Sequence, residues 1–225
     1  GSTALDSLTT GTKNVAVGDA ALTANTSGEG NTAVGHNVLD ANTTGTGNAA
    51  VGDRALTANT TGNQNTAMGQ FALNANTTAN NNTAIGYNAL LSNSTGLDNV
   101  AVGQDALKDN TIHSNTAVGR YAMRANTTGT EQVAIGKGSL STNTTGSYNI
   151  AIGYNALDAN TTASDNLAIG YNTLGANTTG TRNVAVGNYA LDAAETANNN
   201  TAIGYLALSA NTTGTSNVAV GNYAL

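Results

Sequence analysis

Few side chains in this 225-residue chain are of types that perform acid–base or nucleophilic chemistry. There are two histidines, His36 and His113, and no cysteine. The two histidines are far apart in the sequence, and no spacing of nucleophile, histidine and carboxylate predicts a catalytic triad. We therefore expect both histidines to lie on the surface without a chemical role, no catalytic residues, and a protein that is not an enzyme.

Three carboxylates, Asp19, Asp53 and Asp105, lie just after glycines that recur along the chain. The residue types at these positions vary freely, which indicates solvated turns. A pair of carboxylates acting as in a glycosidase is the catalytic alternative. No aspartate recurs with the spacing of a calcium-binding repeat, so the sequence predicts neither a metal site nor a cofactor.

Aromatic residues show a regular placement. Seven of the eight tyrosines follow a recurring glycine by one or two positions. They either cap the edge of the fold and shield its backbone, or they bind a ligand or a host surface. The candidates for surface binding are Tyr87, Tyr154, Tyr171 and Tyr205.

Composition restricts the fold and the partners. Alanine, threonine, asparagine and glycine supply 138 of the 225 residues, and only 4% are aromatic. A compact globule uses more large apolar residues, so the core must be thin and extended. The net charge of −6 argues against a nucleic-acid partner. No apolar run is long enough for membrane insertion. The opening "GS" is typical of a cloning remnant, and we expect the chain to be a piece of a longer protein.

A glycine recurs along the whole chain with a nearly constant period. Twelve intervals separate thirteen glycines; eleven intervals share the length of that from Gly18 to Gly35, and the interval between Gly103 and Gly119 is one residue shorter. Such a short fixed period is typical of a solenoid, in which each repeat forms one coil on the next. It also excludes the disorder that the low charge and many glycines would otherwise suggest. We predict a single all-β parallel solenoid array over 1–225, with about 13 coils and a length of roughly 60 Å.

Within each repeat, the segment Asn-x-Ala-[Val/Ile/Met]-Gly has the alternation of a strand. The segment Ala-Leu-x-Ala, as at Ala89–Leu90 and Ala156–Leu157, is a second strand candidate, with a short helix as the alternative. Strand alternation predicts that Val17 and Leu22, like Ile85 and Leu90 or Ile152 and Leu157, point into the coil. Asparagines and glycines between these segments favour turns.

The alanine in the middle of the strand segment is invariant in all thirteen repeats. Alternation places it outside the coil, together with most of the alanines aligned with Ala21. A small apolar column that never becomes polar indicates a flat surface pressed against another chain, and crowding at an internal bend is the alternative. The predicted oligomer-interface residues are Ala16, Ala33, Ala50, Ala67, Ala84, Ala101, Ala117, Ala134, Ala151, Ala168, Ala185, Ala202 and Ala219.

Two asparagine columns accompany these apolar columns. The first starts Asn14, Asn31, Asn48 and is broken at Gln132; the second starts Asn25, Asn42, Asn59 and is broken at Ala194. Stacked amides bond to one another and to the turn backbone. The accompanying Asn-x-Thr triplets also match glycosylation acceptors, which we interpret as a by-product of the amide ladders.

The motifs "NIAIG" at 149–153 and "NVAVG" at 14–18, each followed by Ala-Leu, resemble the head repeats of trimeric autotransporter adhesins of the YadA type, and similar arrays in bacteriophage tail-fibre and marine bacterial surface proteins. The resemblance implies a left-handed parallel β-roll, a side-by-side homotrimer and an extracellular location, on a bacterial surface or a virion fibre. It also implies inward side chains at Val15, Val17, Ile150 and Ile152. The 17-residue period is longer than the usual head repeat.

Together these features favour a stiff, structural rod of an adhesin or fibre. Its expected partners are copies of itself and a host or surface receptor. The alternative is an ice-binding solenoid that uses its threonine-rich turns. However, only one threonine of a pair such as Thr43–Thr44 is expected to point outward, and the Thr-Gly-Thr pattern recurs in only some coils.

Overall fold

The computed structural model describes residues 3–225, and the proposed cloning remnant at residues 1 and 2 lies outside the described residues. It confirms a parallel β-solenoid with a 17-residue period and about twelve turns. The chain divides into two compact units, the first ending at Ser114 and the second covering Asn115–Leu225. The division falls within the shortened repeat.

Each turn contributes one three-residue strand. The first unit holds β1 (Val15–Val17), β2 (Thr32–Val34), β3 (Ala49–Val51), β4 (Thr66–Met68), β5 (Thr83–Ile85) and β6 (Val100–Val102). The second holds β7 (Thr116–Val118), β8 (Val133–Ile135), β9 (Ile150–Ile152), β10 (Leu167–Ile169), β11 (Val184–Val186), β12 (Thr201–Ile203) and β13 (Val218–Val220). Within each unit, consecutive strands pair in parallel, and each residue lies beside its counterpart one repeat later, as Ala185 does beside Ala202.

The recurring glycine after each strand has no possible substitute. Gly86 has a φ of +132°, and a Cβ built on it would lie 2.6 Å from the carbonyl oxygen of Gly103 in the next turn. Both the backbone conformation and the close approach therefore require glycine.

The predicted second strand is wrong. Ala89–Leu90 and Ala156–Leu157 lie in a run of turns, and Leu90 and Leu157 have φ values of 52° and 54°. A left-handed conformation costs a leucine roughly 1–2 kcal/mol, whereas full burial of its side chain contributes about 1.5–3 kcal/mol. Burial therefore offsets the strain and lets the chain close each coil within one short repeat. The helical alternative is also wrong, since no helix occurs in residues 3–225.

The inside and outside of the strand are the reverse of the prediction. The leucine column points inward as predicted, with Leu22 and Leu157 fully buried. However, Val15 is 49% and Val17 55% exposed, so the inward orientation implied by the resemblance is wrong at these residues. Ile85 and Ile150 are exposed as well, while Ile152 is half-buried.

The invariant alanine occupies the inner face of the strand instead. Ala21 is also fully buried, so the outward placement predicted for both alanine columns is wrong. Leucine, asparagine and alanine columns share one thin interior, which leaves room for only a methyl group on the strand. The members of this inner alanine column are Ala16, which is half-buried, and the buried Ala33, Ala50, Ala67, Ala84, Ala101, Ala117, Ala134, Ala151, Ala168, Ala185, Ala202 and Ala219.

The two asparagine columns form the predicted buried ladders. In the second, Asn59 Nδ2 donates to Asn42 Oδ1 at 2.8 Å and to the Gly62 carbonyl at 3.0 Å. In the first, the backbone N–H of Asn65 donates to Asn48 Oδ1 at 3.0 Å. The ladders thus satisfy polar groups that no water reaches. They also hold the amide nitrogens of the Asn-Thr-Thr triplets inside the fold, as expected if these triplets are a by-product of stacking.

The two exceptions in the ladders have different consequences. Gln132 has a longer side chain that joins the ladders, since its Nε2 donates to Asn126 Oδ1 and its Oε1 accepts from Asn143 and Asn149. Ala194 has no amide to donate to Asn177 Oδ1 in the preceding turn, which is buried without a partner, as are Asn76 Oδ1 and Asn93 Oδ1 in the same column.

Candidate functional site

Both histidines are exposed, as predicted. His36 Nδ1 lies 2.9 Å from Asp53 Oδ1, with the side chains 52% and 39% exposed. Gln70 Nε2 donates to Asp53 Oδ2. The hydrogen bond from His36, followed by that from Gln70, lowers the pKa of Asp53. This is an exposed polar ladder across three turns. His113 lies elsewhere in the first unit, where its Nδ1 accepts a hydrogen bond from the backbone N–H of Leu97.

Asp105 is not in a solvated turn, unlike the expectation. It is only 9% exposed, and its carboxylate accepts hydrogen bonds from Asn88 Nδ2 at 3.1 Å and Gln104 Nε2 at 3.3 Å. Asp19 and Asp53 directly follow the recurring glycine, but Asp105 is one residue further on, at a position with a φ of 54°. At this position the amides of Asn88 and Gln104 take the place of water around the carboxylate.

The outer face of the strands is the main exposed apolar feature of both units. It consists of two columns of side chains on either side of the buried alanine. The first outer column is Val15, Thr32, Ala49, Thr66, Thr83, Val100, Thr116, Val133, Ile150, Leu167, Val184, Thr201 and Val218. The second is Val17, Val34, Val51, Met68, Ile85, Val102, Val118, Ile135, Ile152, Ile169, Val186, Ile203 and Val220. We call these two columns the outer strand face.

The sequence-based prediction places the alanine column on the wrong side of the strand, since these alanines are buried within their own chain. The signal that identifies the outer strand face is present in the sequence, because the second outer column is Val, Ile or Met in all thirteen repeats. Alternation separates the two faces correctly, but the predicted phase assumes that the larger side chains point inward. In a coil this thin, the smaller side chain points inward.

The tyrosine edge, which directly follows the strands, differs between the two units. In the second unit, rings from successive turns contact one another: Tyr154, Tyr171, Tyr189, Tyr205 and Tyr223. In the first unit, Tyr87 meets Phe71 edge-on, and the Arg54 guanidinium lies over the Phe71 ring. The surface-binding candidates are therefore exposed but are also in contact with neighbouring aromatic rings, an arrangement that supports the edge-capping interpretation.

Most threonine pairs divide as predicted, although both threonines are exposed at 127–128 and 212–213. Thr43 Oγ1 donates to the Thr60 carbonyl one turn away at 3.1 Å and is half-buried, whereas Thr44 is exposed. The second threonine of these pairs, together with Thr95 after Ser94 and Thr196 after Glu195, forms an exposed column in each unit, which we call the threonine column. Its members are Thr44, Thr61, Thr78 and Thr95 in the first unit and Thr128, Thr145, Thr162, Thr179, Thr196 and Thr213 in the second.

Neither a metal cluster nor a membrane helix is found in the part of the chain that the structure describes. No three acidic or histidine side chains within 3–225 are grouped as metal ligands. In the same residues, no helix has the length and apolar character needed to span a bilayer.

The fold and its surfaces define a repeat protein of the parallel β-solenoid class. Comparison with family models, curated proteins and solved structures finds no match to this chain. We therefore infer its function from the surfaces themselves.

Proposed function

We propose that this protein is a structural, adhesive rod of an extracellular fibre, whose copies associate side by side through the outer strand face. The observation that carries the proposal is the second outer column, which stays apolar in every repeat although it faces outward. The resemblance to adhesin head repeats supports a left-handed homotrimer on a bacterial surface or a virion fibre, with exposed edges that present a binding surface to a receptor.

The composition of the outer strand face contrasts with that of its neighbour. No charged residue occurs in either outer column, whereas the position after the recurring glycine carries Asp19, His36, Asp53 and Lys137 among others. Several interior members of the second outer column are exposed, with Ile85 at 37% and Met68 at 43%, and the others, such as Ile152 and Ile169, are half-buried. A contiguous apolar surface of this kind is typical of a protein interaction site.

A second copy of the chain is the occupant that fits this surface best. Every copy carries the same columns with the same period, so the side chains of one copy match the spacing of another along many turns. The face carries no charged residue, which favours an apolar partner. Association also covers side chains whose exposure otherwise costs free energy.

The test is the solution mass of charged variants. Ile152→Lys with Ile169→Lys places two ammonium groups on the outer strand face of the second unit. The matched control, Thr162→Lys with Thr179→Lys, places the same charges on the threonine column of the same turns. By light scattering, we expect the outer-face variant to be a 22.3 kDa monomer and the control to remain associated. Equal masses for the two variants would reject the proposed surface.

Ice binding is the second candidate, because the threonine column presents one exposed hydroxyl per turn in regular register. The adjoining column is mixed, with Thr46, Asn63, Asn80 and Leu97 in successive turns, so the hydroxyl array is only one residue wide. Thermal hysteresis and ice-shaping assays test this candidate. Activity that is lost in Thr162→Lys with Thr179→Lys and retained in Ile152→Lys with Ile169→Lys would favour ice binding over the fibre.

A further inference from the structure

The tyrosine edge of the second unit contains a continuous contact series of five phenol rings. The centroid distances between successive rings are 5.2, 5.3, 6.4 and 5.4 Å. Tyr154, Tyr171 and Tyr205 are 40–41% exposed. The rings are therefore close to one another and open to reagents in solution at the same time.

One pair in this series has a geometry of its own. Tyr154 and Tyr171 are stacked with an interplanar angle of 9°, whereas the other three contacts are edge-on, at 65–85°. A nearly parallel pair with centroids 5.2 Å apart brings ring carbons of one residue against ring carbons of the other. The Lys137 ammonium lies 5.4 Å from the centroid of the Tyr154 ring, and this contact helps to hold the ring in place.

Stacked phenols at this distance can be joined by oxidation. A one-electron oxidant removes one electron and one proton from each phenol, which gives two phenoxyl radicals with spin density on the ortho carbons. Two such carbons form a C–C bond, and each ring then loses its ortho hydrogen to the phenol oxygen and regains aromaticity. With hydrogen peroxide and a peroxidase, one peroxide accepts the two electrons and two protons and leaves as two waters.

Few other side chains compete for the oxidant. The chain has no cysteine and no tryptophan, and it has two methionines. Met123 is fully buried, and Met68 is exposed but belongs to the first unit. Tyrosines are thus the main oxidisable groups on the surface of the second unit.

We propose that Tyr154 and Tyr171 form an oxidative modification site, at which a peroxidase-type one-electron oxidant joins the two rings as dityrosine. The bond connects equivalent positions of two neighbouring turns. It shortens the accessible loops of the unfolded chain and thereby raises the stability of the second unit, as other covalent cross-links do. The proposal does not depend on the fibre function.

The experiment treats the dilute protein with a peroxidase and hydrogen peroxide, followed by proteolysis and tandem mass spectrometry. We expect one dominant cross-linked peptide pair that joins Tyr154 to Tyr171 and has lost two hydrogen atoms, together with dityrosine fluorescence and a higher unfolding temperature. Tyr171→Phe keeps the ring and removes the phenol, so it should fold normally and abolish this product.

Tyr148→Phe is the matched control, because Tyr148 is 55% exposed but lies on a different turn segment from the stacked pair. The control should give the same cross-link as the unaltered protein. Oxidation without dityrosine would overturn the proposal. So would cross-links only between chains, or a product that survives Tyr171→Phe in equal yield.

Discussion

The two faces of each strand are formed by adjacent residues, but one face is buried and the other is exposed to solvent. Ala84 is fully buried, whereas Ile85 beside it is 37% exposed. The larger apolar side chain thus lies outside and the smaller one inside. The two columns are therefore uniform for two separate reasons. The inner alanine is fixed by lack of space within its own chain. We propose that the outer column of Val, Ile or Met is fixed by a second copy of the chain that covers it.

The largest expected difference in stability is between a variant with a charge on the inner face of a strand and one with the same charge on its outer face. Ala84→Asp buries a carboxylate without a partner, and we expect a loss of roughly 3–5 kcal/mol in unfolding free energy. Ile85→Asp exposes the same charge to water and should lower the stability of a lone chain by only about 1 kcal/mol. Denaturant unfolding at a concentration where copies are separate measures both. Similar losses for the two variants would contradict the assignment of inside and outside.

Removal of one amide from the second asparagine column should have the next largest effect. Asn59→Ala removes three side-chain hydrogen bonds, with Asn42, Gly62 and Asn76, and leaves Asn42 Oδ1 buried without its donor, which costs roughly 1–3 kcal/mol. Thr61→Ala, at an exposed position in the same turn, is the control and should be close to neutral. Thermal unfolding followed by circular dichroism compares them; an unchanged midpoint for Asn59→Ala would show that the ladder contributes little.

The second asparagine column is interrupted at Ala194, where an amide can be added instead of removed. Ala194→Asn supplies an Nδ2 donor for the unpartnered Asn177 Oδ1, at a site where the equivalent residues of other turns already hold asparagine. We expect a gain of about 1 kcal/mol and an unfolding midpoint higher by roughly 2–4 °C. A lower midpoint would mean that the turn at Ala194 has closed around its methyl group.

The smallest expected effects on stability come from two aspartates whose pKa values are shifted in opposite directions by folding. Burial raises the pKa of Asp158, so its ionised form is disfavoured in the folded state. Asp158→Asn should therefore raise stability slightly at pH 7, and the gain should disappear as the pH falls below the ordinary aspartate pKa of about 3.9.

Asp53→Asn is the matched control for this pH dependence. The hydrogen bond from His36 lowers the pKa of Asp53, so its ionised form is favoured by folding. The substitution should reduce stability slightly above about pH 4 and have no effect in stronger acid. Unfolding midpoints measured across the acid range give the sign of the stability change for each variant. Changes of the same sign for the two variants would contradict the opposite pKa shifts of Asp158 and Asp53.

Much of the fold follows from the sequence because stacking makes each turn repeat the same demands. The period of the glycines, the two asparagine ladders and the inward leucines were all predictable from residue type and spacing. Which face of the strand points inward was not predictable in this way. Alternation distinguishes two faces but does not say which is inside, and the usual preference for larger residues inside fails when leucine and asparagine already fill the interior.

The turns at Leu90 and Leu157 were also beyond sequence reasoning. Leucine has no intrinsic preference for a left-handed backbone, and only burial in the assembled coil offsets that strain. Likewise, the tyrosine spacing predicted an exposed edge but not the stacked geometry of Tyr154 and Tyr171. That geometry depends on how each ring meets its neighbour in the next turn.

The most direct test of the proposed association uses the absence of native cysteine. Single variants Ile85→Cys on the outer strand face and Thr78→Cys on the threonine column each introduce one thiol, and their rates of reaction with a thiol reagent are compared. We predict that the thiol at position 85 reacts far more slowly than the thiol at position 78, in a species with three times the 22.3 kDa mass of one chain. Equal rates in a species with the mass of a single chain would show that the outer strand face is bare.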